Sequence, residues 1–239
     1  MFYFTITHVL SISNVHLYIY FLQLYIIILQ AVKFLLNGLH RLRVDYPKKV
    51  FQILNILNFP VAIMENFMYY FPNLDETTRL LMLEELELDI NNGLFYEPVT
   101  MQKSIIPVYK RVLKSTFSKG NVETLRTGFT MSMFKPKDKK GRKITPSIKE
   151  MIAFSDFNRY YIRALLVRAI SEGKSLAVYR AKQTVNERME SKLSLGKIYS
   201  GKTLLQQLLT ITRDYRVLFN LNPPLEILKP NSGLSLKLL

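Results

Sequence analysis

The composition of the chain breaks at Met64, and the break sets what each part can fold into. Residues 1–63 contain no Glu and one acid, Asp45, while Phe, Tyr, Ile, Asn, Lys and Leu fill 38 of the 63 positions. The longest apolar run, 17–36 (LYIYFLQLYIIILQAVKFLL), is interrupted only by Gln23, Gln30 and Lys33. Twenty helical residues span about 30 Å, the thickness of a bilayer core. His40, Arg41, Arg43, Lys48 and Lys49 follow the run, and no Lys or Arg precedes it. By the positive-inside rule, an anchor here would leave the rest of the chain in the cytoplasm. A cleaved signal peptide is disfavoured, because the basic leading region is missing. Three readings stay open: a membrane anchor with contact through 17–36, a buried helical hairpin, or upstream A/T-rich DNA translated from a start ahead of Met64. The expected location is the cytoplasm, or alternatively a membrane anchor holding 64–239 on the cytoplasmic side.

From Met64 onward the sequence reads as a basic globular domain. Its expected class is mainly α with a minor β component, a compact helical domain after the apolar N-terminal segment. Asn73 or Asp75 can cap a helix whose first turn carries acids, and Asn92-Gly93 ends it. Pro107 opens a second helix that stops near Gly120, and Asn121 caps a short third one ending at Gly128. Phe129 to Phe134 reads as a strand, and Lys135 to Lys143 as a turn or hairpin loop, by its Pro, Asp and Gly. Thr145-Pro146 starts one helix, and Ser155 or Asp156 starts the strongest helix, which runs to about Glu172 before Gly173. LAVYRA at 176–181 and Leu234 to Leu238 read as strands, and Leu204 to Ile211 as a helix.

FNRYYIRALLVRAISEG (157–173), the following VYRA (178–181) and the terminal PNSGLSLKL (230–238) resemble a group of uncharacterised bacterial proteins. The resemblance covers about residues 64–239. It implies a bacterial protein and a start near Met64, and it carries over no functional residue.

Charge narrows the choice of partner. The net charge is +15, which points to anionic partners: nucleic acid, a membrane surface or an acidic protein. Residues 64–97 hold eight acids against one base, Arg79, whereas residues 98–239 hold 27 bases against nine acids. Either the acidic helix packs on basic neighbours, or it mimics an acidic partner or guards an anion site. The densest basic run supplies Lys135, Lys137, Lys139, Lys140, Arg142 and Lys143. Such a run is either a solvated loop or a neutraliser of phosphates, whose contacts give sequence-independent affinity. Arg159 and Arg163 lie four apart on a helix that should be mostly buried. They either form ion pairs with Glu84, Glu85, Glu87 or Asp89, or hold a phosphate or carboxylate between two guanidinium forks.

One motif points elsewhere. Gly196-Lys197-Ile198-Tyr199-Ser200-Gly201-Lys202-Thr203 matches the phosphate-binding pattern G-x-x-x-x-G-K-[ST], in which Gly196, Gly201, Lys202 and Thr203 would hold a nucleotide and its Mg²⁺. The charged stretch before it and the short chain after it do not supply the parallel βα units such a site needs. Ser200 reads equally well as a helix N-cap. Cysteine is absent, which excludes thiolate metal sites and cysteine nucleophiles. All three His, at positions 8, 16 and 40, precede Met64. Acid–base chemistry after Met64 would therefore fall to carboxylates, Lys or Tyr. No catalytic constellation stands out, and neither a cofactor nor a metal is expected. The leading reading is a non-enzymatic basic protein that binds nucleic acid or an acidic partner. A P-loop hydrolase and a membrane-anchored protein are the alternatives.

Overall fold

The computed structural model describes residues 69–182, 187–222, 225–229 and 232–239. All of them belong to the unit 60–239. The apolar stretch 17–36 lies outside the described residues; among those described, no helix is long and apolar enough to cross a membrane.

The elements are mainly helical with a small sheet. They are α1 (Glu76–Asn91), α2 (Ile106–Lys119), α3 (Val122–Thr127), α4 (Ser147–Glu172), β1 (Leu176–Arg180), α5 (Met189–Ser194), β2 (Ile198–Tyr199), α6 (Lys202–Arg213), α7 (Tyr215–Phe219) and β3 (Leu234–Leu238). The caps follow the sequence. The Asp75 side chain accepts from the amide of Thr78 at 2.9 Å, and that of Asn121 from Thr124 at 2.9 Å, meeting donors that a helix start leaves open. Gly173 ends α4 in the left-handed region, with φ 64°, which a residue bearing a Cβ adopts only at a cost.

The core is organised around α4. Its stretch from Ala153 to Leu166 is buried at every position except Ser155, so the helix has almost no solvent face in its middle. It packs against α1, α3, α6 and β3. Phe117, Phe157 and Tyr160 interlock, with ring centroids 5.1 and 5.8 Å from Phe117. The sheet is antiparallel in the order β2-β1-β3. Leu176 pairs with Leu238, and Val178 with Leu236; Leu176, Val178, Leu234 and Leu236 are all buried. The last strand of the chain thus lies directly beside β1.

Three local expectations change. Phe129 to Phe134 is not a strand: residues Met131–Met133 form a 3₁₀ turn, with the amides of Met133 and Phe134 bonded to the carbonyls of Thr130 and Met131. The helices expected from Thr145 and from Ser155 are one continuous helix, because burial on all sides overrides the capping preference of Ser155 and Asp156. Ser200 does not cap α6; Gly201 holds that position, with no side-chain cap.

Candidate anion-binding surface

The run 135–143 is a tight hairpin. Lys137 and Lys143 bridge as antiparallel partners, and Gly141 turns the chain at φ 77°. Asp138 holds the turn from inside: its Oδ1 accepts from the amides of Lys140 and Arg142, at 2.8 and 3.0 Å, and its Oδ2 from Arg142 Nε at 2.8 Å. These bonds, chiefly those from the Arg142 backbone, keep the Asp138 carboxyl below its usual range. The only acid of the run is therefore committed to its own turn. Lys135, Lys137, Lys139, Lys140, Arg142 and Lys143 are the basic residues of the run; all six are exposed, and Asp138 between them is half-buried. Among the described residues Arg142 is the only one of the six with a carboxylate partner, and Lys135 Nζ donates to the Val99 carbonyl at 2.7 Å.

A cleft of about 550 Å³ lies beside the hairpin, lined in part by Arg142, Lys143, Thr145, Ser147, Glu150 and Lys182. Its cationic side gains Lys182, which the sequence did not single out. Lys182 Nζ meets Glu150 Oε1 at 2.7 Å, and Tyr69 donates to the same oxygen at 3.2 Å. Burial raises the Glu150 carboxyl, but the Lys182 bond and charge more than offset it, so the group sits below its usual range. Burial and the neighbouring Glu150 push the Tyr69 hydroxyl far up, which leaves it a donor. The first turn of α4 opens on the cleft, with Glu150 as its acid.

The two helix arginines do not join this surface. Arg163 is 1% exposed, and its fork is filled by carboxylates of α1: Nε donates to Glu85 Oε2 at 2.9 Å, while Nη1 and Nη2 donate to the two oxygens of Asp89 at 2.6 and 2.9 Å. Tyr160 donates to Asp89 at 2.8 Å, and Arg213 Nε to Glu85 at 2.9 Å. Of the two sequence readings for Arg163, the structure realises the ion pair; no face of its guanidinium is left for an external phosphate. Arg159 is also buried, paired with Asp156 at 2.9 Å in a separate cluster. The acidic helix accordingly turns Glu85 and Asp89 inward onto arginines, and Glu87 meets Lys114 at 2.5 Å. Two of its acids are thus matched inside the domain, while Glu76, Glu84 and the basic hairpin are exposed.

The segment Gly196 to Thr203 takes a shape other than a phosphate cradle. The Gly196 amide donates to the Val178 carbonyl at 2.9 Å, and the Lys197 carbonyl accepts from the Val178 amide at 2.9 Å. Residues Ile198–Tyr199 then form β2, an antiparallel partner of β1. A phosphate loop needs free amides between a parallel strand and its helix. Here the first glycine is tied into a ladder, and Ile198 and Tyr199 between the two glycines run extended. Among the described residues the only sheet is antiparallel. Gly201 (φ 85°) opens α6, where Lys202 and Thr203 are exposed on the first turn.

Compared with protein-family models, with curated proteins and with solved structures, the chain matches none.

Proposed function

We propose that this protein is a non-enzymatic nucleic-acid binder that grips duplex phosphates through the 135–143 hairpin. One observation carries the reading. Lys137 and Lys143 are cross-strand partners, and Lys139 and Lys140 occupy the tip, yet none of the four meets a carboxylate among the described residues. Like charges placed opposite each other weaken a hairpin. A polyanion would remove that cost, as it would for a chain of net charge +15.

The same geometry favours duplexes over single strands. Binding of single strands draws on exposed aromatic platforms. Phe129 and Phe134, which flank the run, are buried core residues at 1% and 3% exposure and offer no such surface.

The test is a fluorescence-anisotropy titration of duplex DNA, duplex RNA and single strands at two salt concentrations. Duplexes are expected to bind with little sequence preference, and log K to fall by about 0.9 per neutralised phosphate per unit log salt. Replacing Lys137, Lys139, Lys140 and Lys143 together with Ala should weaken all duplexes alike and flatten the slope by about 0.9 for each phosphate no longer neutralised. Absence of duplex binding at low salt would overturn the proposal and leave an acidic protein as the partner to seek.

A further inference from the structure

A second cavity, of about 140 Å³, lies between the 96–100 segment, α4 and α7. Its walls are apolar and include Val99, Met151, Leu218 and Phe219, while Asp156 and Arg159 are its charged members. Val99 and Phe219 are 50% and 54% exposed and mark the mouth; Asp156 and Arg159 are 4% and 5% exposed and mark the floor. We propose that this cavity is a binding site for a small monocarboxylate with a short apolar chain, its carboxylate held by the Arg159 guanidinium.

Arg159 Nε and Nη2 are buried and have no hydrogen-bond acceptor among the described residues. Nη2 is 2.9 Å from Asp156 Oδ1, an ion-pair contact whose N–H is not directed at the oxygen. Asp156 is turned toward Tyr109, whose hydroxyl donates to its Oδ2, and neither of its oxygens takes a hydrogen bond from Arg159 Nε or Nη2. Buried guanidinium donors almost always find an acceptor, and leaving them without one is costly. Nε and one Nη form the edge of arginine that binds a carboxylate with two parallel bonds.

The surroundings select the rest of the ligand. Tyr96 and Tyr160 lie against the guanidinium, with ring centroids 5.4 and 5.1 Å from its carbon, and hold its plane. Tyr96 in turn packs edge-on against Phe219 at 5.2 Å and Tyr215 at 5.4 Å, so the exposed Phe219 is the outer ring of the cover. The apolar walls suit methylene groups rather than a sugar or a phosphate. Cavities for drug-sized molecules occupy about 300–1,000 Å³. A cavity of 140 Å³ takes the volume of roughly five waters, which excludes a nucleotide and fits an acid of four to six carbons.

The experiment titrates the full chain with acetate, butyrate and hexanoate by calorimetry, with hexanamide and hexanol as neutral controls. Affinity is expected to rise about fourfold per added methylene until the cavity is full. Hexanamide and hexanol should bind at least tenfold more weakly than hexanoate. Val99→Trp, at the exposed mouth, should block binding without touching the buried pair, and Arg159→Gln should erase the preference for the acid. The variant with Lys137, Lys139, Lys140 and Lys143 replaced by Ala should bind hexanoate unchanged, which separates this site from general attraction to a basic surface. No saturable binding of any acid, equal binding of acid and amide, insensitivity to Val99→Trp, or loss of binding in the lysine variant would each overturn the proposal.

Discussion

Arg163 shows how much of this domain depends on single buried charges. Its fork meets Glu85 and Asp89, and its Nη2 also donates to the Glu85 carbonyl at 3.2 Å, so it joins α4 to α1 at two positions one turn apart. Removing one partner of such a pair strands the other charges in the interior, a loss of about 3–5 kcal/mol. Arg163→Met is therefore expected to lower unfolding stability by that amount at pH 7, measured by urea titration. The pH dependence has a definite sign. Burial alone would raise the Glu85 carboxyl, but the bonds and charges of Arg213 and Arg163 outweigh it and leave it lowered. A lowered carboxyl contributes stability above its unfolded value of about 4.3, and that contribution is lost as pH falls through the folded value. The gap between the parent protein and Arg163→Met should accordingly close as pH falls below about 4.3. A gap that stays constant down to pH 3 would mean that Arg163 acts through packing rather than charge. Asp156 has the opposite sign: burial raises it more than Arg159 and Tyr109 lower it, so its share of stability belongs to low pH and disappears as pH rises through the folded value.

At the scale of elements, the helices were legible wherever a cap or a stop is a local event. Asp75, Asn121, Gly120 and Gly173 each act within a turn of their own position, and all four mark observed helix ends. Local signals lose their hold where distant chain decides. Ser155 and Asp156 carry capping side chains, yet they sit inside α4 because buried packing from Ile152 onward continues through them. The cavity over Arg159 was illegible for the same reason: Tyr96, Arg159 and Phe219 are brought together only by the fold. The segment 196–203 is the clearest case of a local pattern without its context. Its letters fit a phosphate loop, while its first glycine is held in an antiparallel ladder with β1. Lys202 is thus an exposed first-turn residue of α6. Lys202→Ala should change stability by less than about 0.5 kcal/mol, as is usual for exposed sites. Calorimetry with Mg-ATP should detect no micromolar binding in either form. Micromolar binding that Lys202→Ala abolishes would restore the hydrolase reading.

Across the described residues, the buried charges are paired, whereas the lysines of the basic hairpin meet no carboxylate. Glu85, Asp89 and Asp156 face arginines in the interior, whereas Lys137, Lys139, Lys140 and Lys143 remain toward the surface. Residues 64–239 carry 28 bases against 17 acids, so the folded domain works against its own repulsion. The buried pairs are little affected by salt, because ions cannot come between the partners, but repulsion between exposed charges is screened. Raising NaCl from 0.01 to 0.15 M shortens the screening length from about 30 to about 8 Å. The unfolding temperature should therefore rise with salt, by about 2–4 °C for each kcal/mol of repulsion removed. The variant with the four hairpin lysines replaced by Ala should start higher at 0.01 M and rise less, since part of the repulsion is already gone. Differential scanning calorimetry in a buffer free of phosphate makes the comparison. A temperature that falls with salt would show that exposed pairs such as Arg142–Asp138 and Arg216–Asp214 outweigh the net repulsion. Repulsion among the exposed bases would then not limit the stability of the fold, and relief of that repulsion would no longer be a reason for the domain to seek a polyanion.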